Sequence, residues 1–174
     1  MTLNDIIVAA LAQLERGSNA LNVERYRQPF TAYINEAIID IAESLKLYRT
    51  DTVALVDGKF SGLPYVPTKI IGVYADGVPI PWGYGDADGE YVVDVDAVSV
   101  SVRYNYIPKP IKDSADTPPV PEYLHPAIVD YVIACDKGSG DPTVQGGSAI
   151  YFQRYQLMKS KLTKGRRTKI RNYY

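Results

Sequence analysis

The spacing of the apolar residues changes twice along this chain, and those two changes constrain its fold more than any other feature. Up to about residue 47 apolar positions recur every three or four residues; from Asp51 to about Tyr106 they alternate; after a stretch holding Pro108, Pro110, Pro118, Pro119 and Pro121 the helical spacing returns. Such a chain reads as two helices, a β insertion and two further helices.

The first stripe is Leu3, Ile6, Ile7, Ala10, Leu11 and Leu14, opened by a capping-box-like Thr2 and Asp5 and stopped at Gly17. The second is Phe30, Tyr33, Ile34, Ala37, Ile38, Ile41, Ala42 and Leu45; Pro29 either begins that helix or kinks a longer one starting near Asn22. In the β insertion, Thr52 to Asp57 is closed by Asp57-Gly58, and Lys69 to Ala75 is expected to pair with Val78 to Trp82 across Asp76-Gly77. Glu90 to Val95 and Ala97 to Tyr106 form a second expected pair, with Val98, Val100, Val102, Tyr104 and Tyr106 on the buried face. Leu124, Ile128, Tyr131, Val132 and Cys135 mark a third helix ending near Gly138. Asp141 and Pro142 suit the start of a fourth, with Val144, Tyr151, Phe152, Tyr155, Met158 and Leu162 facing inward and a weak spot at Gly146-Gly147.

The expected fold is therefore α+β: a four-helix bundle with an inserted antiparallel β region between helices 2 and 3, and an extended basic C-terminal tail. The expected division is residues 1–50 plus 119–164 for the bundle, 51–107 for the β region, 108–118 for a Pro-rich linker and 165–174 for a C-terminal arm. At 174 residues the chain suits one compact domain with a small insertion. No apolar run approaches the roughly 20 residues of a membrane span, so no membrane partner is expected. The start, MTLNDIIVAA, has no basic n-region and carries Asp5 where a signal peptide is apolar, so it does not read as one.

Charge is partitioned. Up to Asp141 there are twenty acidic and eleven basic residues, net −9; beyond it there are eight basic residues and no acid, net +8. The β region alone is net −5, and fifteen Tyr against three Phe suit half-buried surfaces and interfaces.

Few residue types support catalysis. Cys135 is the only cysteine and His125 the only histidine, which excludes a disulfide framework, a Cys-based zinc cluster and any two-His metal site. His125 is read as a capping or surface residue and Cys135 as a buried, unreactive thiol. Asp86, Asp88, Glu90, Asp94 and Asp96 form the densest acidic group, but GDADGEYVVDVD lacks the ligand spacing of a calcium loop; a solvated face is the better reading. Nothing singles out a carboxylate pair for glycoside hydrolysis. Gly83, Gly85 and the GSG at 138–140 make no phosphate loop. No cofactor is expected, and no enzyme.

The end, GRRTKIRNYY, is either a solvated terminus or a segment that orders on a partner. Ordering ten residues costs on the order of 10–20 kcal/mol of conformational entropy. Ile170, Tyr173 and Tyr174 nevertheless supply anchors that a purely solubilising tail lacks. Its partner is a nucleic acid backbone or an acidic protein surface; the −9 body opposes DNA as the main one.

These pieces resemble a known family, the head-to-tail connector or adaptor proteins of tailed bacteriophages. The matching segments are YINEAIIDIAESL at 33–45, LPYVPTKIIGVYADGVPI at 63–80, VRYNYIPKPI at 102–111 and PPVPEYLHPAIVDYVIAC at 118–135, followed by a helix with Tyr151, Phe152 and Tyr155. The resemblance implies a structural protein of the virion neck, made in the host bacterial cytoplasm. It implies a dodecameric homo-oligomeric ring that docks under the portal protein, extends the DNA channel without sequence-specific binding and seats the next neck, tail or nozzle component. A C-terminal arm reaching the portal gives Arg166, Arg167, Lys169, Ile170, Arg171, Tyr173 and Tyr174 a portal-binding role, and a ring around DNA gives Asp86, Asp88, Glu90, Asp94 and Asp96 a channel-lining or partner-facing one. The competing readings are a DNA-binding module acting through the tail and a cell-wall hydrolase, for which no residue stands out.

Overall fold

A computed structural model describes residues 1–138 and 145–165. The expectations for Asp141, Pro142 and Val144, the side chain of Leu162, and the tail residues from Arg166 to Tyr174 lie outside the described residues. Contacts divide the chain into two compact units, Met1–Leu45 with the chain from Pro110 onward, and Lys46–Lys109.

In the first unit, α1 (Leu3–Gln13) starts at a capping box in which Thr2 Oγ1 accepts the Asp5 amide and the Asp5 carboxylate accepts the Thr2 amide. Its stripe of Leu3, Ile6, Ile7, Ala10 and Leu11 is fully buried, each larger side chain contributing about 1.5–3 kcal/mol. Helix α2 (Ala20–Leu45) answers the proline question: Asn19 accepts the Asn22 amide at the start, and Pro29 lies inside the helix. A short 3₁₀ turn (Glu122–Leu124) leads into α3 (His125–Gly138), and α4 (Gln145–Gly165) follows. The Pro-rich stretch is pinned to the helices. Asn35 exchanges two hydrogen bonds with the Ile111 backbone, at 2.9 and 3.0 Å, and Asp116 O accepts the Leu3 amide at 2.7 Å.

The described residues do not form the expected four-helix bundle with one inserted sheet. They form four α-helices and seven strands in two antiparallel sheets, a mixed α+β fold. Among the helices α1, α2 and α4 all pack on α3. Helix α3 buries Ala127, Ile128, Val129, Asp130, Val132, Ile133 and Ala134 on nearly all sides, where its apparent stripe suggested a single inward face. A stripe shows that a helix buries a face and says nothing of which neighbour covers it.

In the second unit one sheet has the order β1 (Tyr48–Ala54), β7 (Ser99–Tyr106), β3 (Pro67–Ala75), β4 (Val78–Ile80). The other has the order β2 (Lys59–Phe60), β6 (Tyr91–Val93), β5 (Trp82–Tyr84). The turn signals hold. Asp76 and Gly77 have φ of 48° and 79° and join β3 to β4 with Ala75 opposite Val78, while Asp57 and Gly58, at 52° and 71°, bridge Val56 to Lys59. Both are type I′ hairpin turns, so Gly77→Ala is expected to cost about 1–2 kcal/mol. Thermal melting checks this, with Gly83→Ala, where φ is not positive, as the control.

The second expected pair does not form. Strand β6 pairs with β2 and β5, whereas β7 lies between β1 and β3. No two-residue turn separates Val95 from Ala97, and Pro81, which has no amide hydrogen, ends β4 so that Trp82 begins a strand of the other sheet. The alternation in β7 is otherwise as read: Val100, Val102 and Tyr104 are buried, while Val98 lies before the strand and is exposed. Phe60, Tyr91 and Val93 of one sheet share a core with Ile70, Val73, Val100, Val102 and Tyr104 of the other, and the Phe60 and Tyr91 rings stack at 5.1 Å.

Candidate interaction surfaces

His125 is buried rather than at the surface. Its Nε2 lies 3.3 Å from Val120 O and its Nδ1 3.0 Å from the Met1 nitrogen, and burial holds its pKa below the usual histidine value. Cys135 is half-buried, and burial raises its thiol pKa, which suppresses the reactive thiolate. No group of three or more metal-ligating side chains occurs among the described residues, and no helix there is long and apolar enough to cross a membrane.

Three polar assemblies shape the surfaces instead. On the helical unit, the Tyr155 hydroxyl donates to Asp40 of α2, and Lys159 Nζ donates to both oxygens of the same carboxylate at 2.6 and 2.9 Å. Tyr155 is fully buried, its ring 4.9 Å from that of Tyr131, and burial raises its pKa. The assembly ties α4 to α2 and turns Ile150, Phe152 and Leu157 outward, each about half exposed; the inward place expected for Phe152 is thus not taken up.

In the β unit, Asp51 accepts from Arg49 Nε and from the Tyr104 hydroxyl, both at 2.6 Å, and the Arg49 guanidinium lies 4.8 Å from the Tyr65 ring centre. The Arg49 bond holds the Asp51 carboxyl below its ordinary range, and burial pushes the Tyr104 hydroxyl up to about 12. A lowered carboxyl pKa stabilises the fold above the ordinary aspartate range and loses that contribution as pH falls through the folded value. His125 has the same sign, with its loss beginning below about pH 6.5. Acid titration of unfolding free energy is therefore expected to fall in two steps. Asp51→Asn should shrink the lower step, which it shares with Glu90, Asp5 and Asp116, and leave the upper one.

The acidic group divides. Glu90 is half-buried, pairs with Lys59 at 3.1 Å and accepts the Asp86 amide at 3.2 Å, and the Lys59 bond lowers its pKa. Asp86, Asp88, Asp94 and Asp96 are exposed and have no ion pair among the described residues. Asp88 precedes Gly89, whose φ of 75° fits the turn reading. Exposed Val56, Val66, Tyr84 and Val98 lie on the same unit.

Two features had escaped the sequence reading. Asp40 carries no sign of its role, because its partners lie over a hundred residues away. At the Pro29 position, a hollow of about 400 Å³ is lined by Glu24, Arg25, Arg27, Gln28, Pro29, Thr31 and Lys112. The available signal was a proline within a helical stripe, flanked by arginines.

No curated protein matches the sequence. The family described as SU10 adaptor protein matches residues 1–173, nearly the whole chain, and is a family of phage head-to-tail adaptors. Surfaces carrying unpaired charge and exposed apolar side chains are what a structural adaptor of the virion requires, one whose partners are other phage head or tail proteins. The chain belongs to the SU10 adaptor protein family.

Proposed function

We propose that the protein is a ring-forming neck component that docks under the portal, continues the DNA channel and seats the next neck, tail or nozzle protein. The observation that carries this reading is the family match over residues 1–173. In it the helices of 1–50 and 119–164 form the ring wall, and the 51–107 region makes intersubunit or tail-side contacts. The 108–118 stretch links them, and the 165–174 arm holds the portal through Arg166, Arg167, Lys169, Ile170, Arg171, Tyr173 and Tyr174.

Charge supports the channel role. A body at net −9 lets phosphate slide past and gives DNA little to hold. Heterologous side-to-side contacts close into a ring when their rotation allows it. Native mass spectrometry of the full chain with and without its portal tests the reading. The expected species is one portal carrying a single fixed multiple of this chain; binding of one or two copies, or tight DNA binding that persists at high salt without portal, overturns it.

A further inference from the structure

We infer that the hollow beside Pro29 is a carboxylate socket for a second copy of this chain, and that the acidic residues Asp86, Asp88, Asp94 and Asp96 of the neighbouring β unit supply its occupant. The proposal rests on the ring reading and names the contact that closes it.

The socket is built by a proline. Inside α2, Pro29 offers no amide hydrogen, so the Arg25 carbonyl loses its partner four residues on. Beside it the Thr31 hydroxyl is buried with no hydrogen-bond partner among the described residues, a donor that an incoming carboxylate oxygen would satisfy. Three cations line the hollow against one carboxylate. That carboxylate, Glu24, is held by Arg27 at 3.0 Å, and Arg27 is fixed in turn by the Ser114 hydroxyl at 2.7 Å. Asp116 is occupied by the amides of Lys112 and Asp113. Arg25, over the Tyr26 ring, and Lys112 have no carboxylate partner among the described residues.

Among the described residues the chain thus carries unpaired cations around a concave site on one unit and six exposed carboxylates without ion pairs on the other, four of them grouped between Asp86 and Asp96. Unlike patches on one chain make a heterologous contact, the kind that propagates from copy to copy. Complementary charge also sets the register of such a contact. A duplex phosphate has the same oxyanion chemistry, but the net −9 body that would surround it opposes DNA.

The test is a titration of isotope-labelled full chain with unlabelled full chain at low salt, read as amide shifts in NMR. Wild-type titrant is expected to move Thr31 and Lys112, and Asp86→Lys with Asp88→Lys in the titrant to weaken that binding roughly tenfold. Arg25→Glu with Lys112→Glu in the labelled chain should do the same against wild-type titrant and restore binding to the Asp-reversed titrant. High salt should abolish the shifts. Unmoved Thr31 and Lys112, or shifts indifferent to reversal of the acids, overturn the socket. So do shifts produced by a short DNA duplex and not by the chain itself. A closed ring that forms on the portal although the charge reversals have no effect sinks the socket alone, whereas failure to form any ring sinks the reading it rests on.

Discussion

Tyr155→Ala is expected to destabilise the helical unit by about 3–5 kcal/mol, the range for removing a fully buried aromatic side chain. The loss has two parts. The ring packs against Tyr131 and Phe152, and its hydroxyl donates to Asp40, which would keep only Lys159. Tyr155→Phe separates them, since it removes the hydroxyl alone, at about 1.5–3 kcal/mol for a bond to a charged acceptor. Urea unfolding of the three proteins measures both parts, and hydrogen exchange is expected to show the alanine variant losing protection first along α4. An alanine variant within about 1 kcal/mol of wild type would mean that α4 is not held by this side chain.

Deleting residues 165–174 is expected to leave the fold intact and to weaken portal binding by roughly a thousand-fold, the equivalent of burying two of its three apolar anchors at about 2 kcal/mol each. The tail offers Ile170, Tyr173 and Tyr174 as such anchors and Arg166, Arg167, Lys169 and Arg171 as the charged partners that orient them. Its contribution should shrink as salt rises, because exposed charges are screened beyond about 8–10 Å at ordinary ionic strength. A truncated chain that joins the portal at unchanged affinity across salt concentrations would remove the arm from the account.

Local features of this fold were legible, the β3–β4 hairpin among them, and its long-range pairings were not. The Thr2–Asp5 cap, the α1 stripe and the two Asp-Gly turns depend on residues a few positions apart, and each appears where the sequence put it. The bundle failed because α3 buries nearly its whole circumference, a property of its neighbours rather than of its own spacing. The second hairpin failed because β7, the long alternating strand, pairs with β1 and β3, far away in sequence, while Pro81 divides the chain between two sheets. The surfaces followed the same rule. Exposed Asp94 and Asp96 were readable from their alternation with Val93 and Val95, and Asp88 from its turn with Gly89; the Asp40 anchor and the socket at Pro29 depend on residues more than eighty positions apart, which no local pattern records.

The net charge of −1 conceals the −9 and +8 from which the functional account is built. Among the described residues six acids of the β unit remain without ion pairs, so the acidic body is also a surface with unfilled electrostatic demand. The measurement that tests the account most directly is imaging of the full chain assembled on its portal. The account predicts a closed ring coaxial with the portal channel on its outward side, with an open central passage. An open filament, a ring formed away from the portal, or copies scattered over its flank would contradict it.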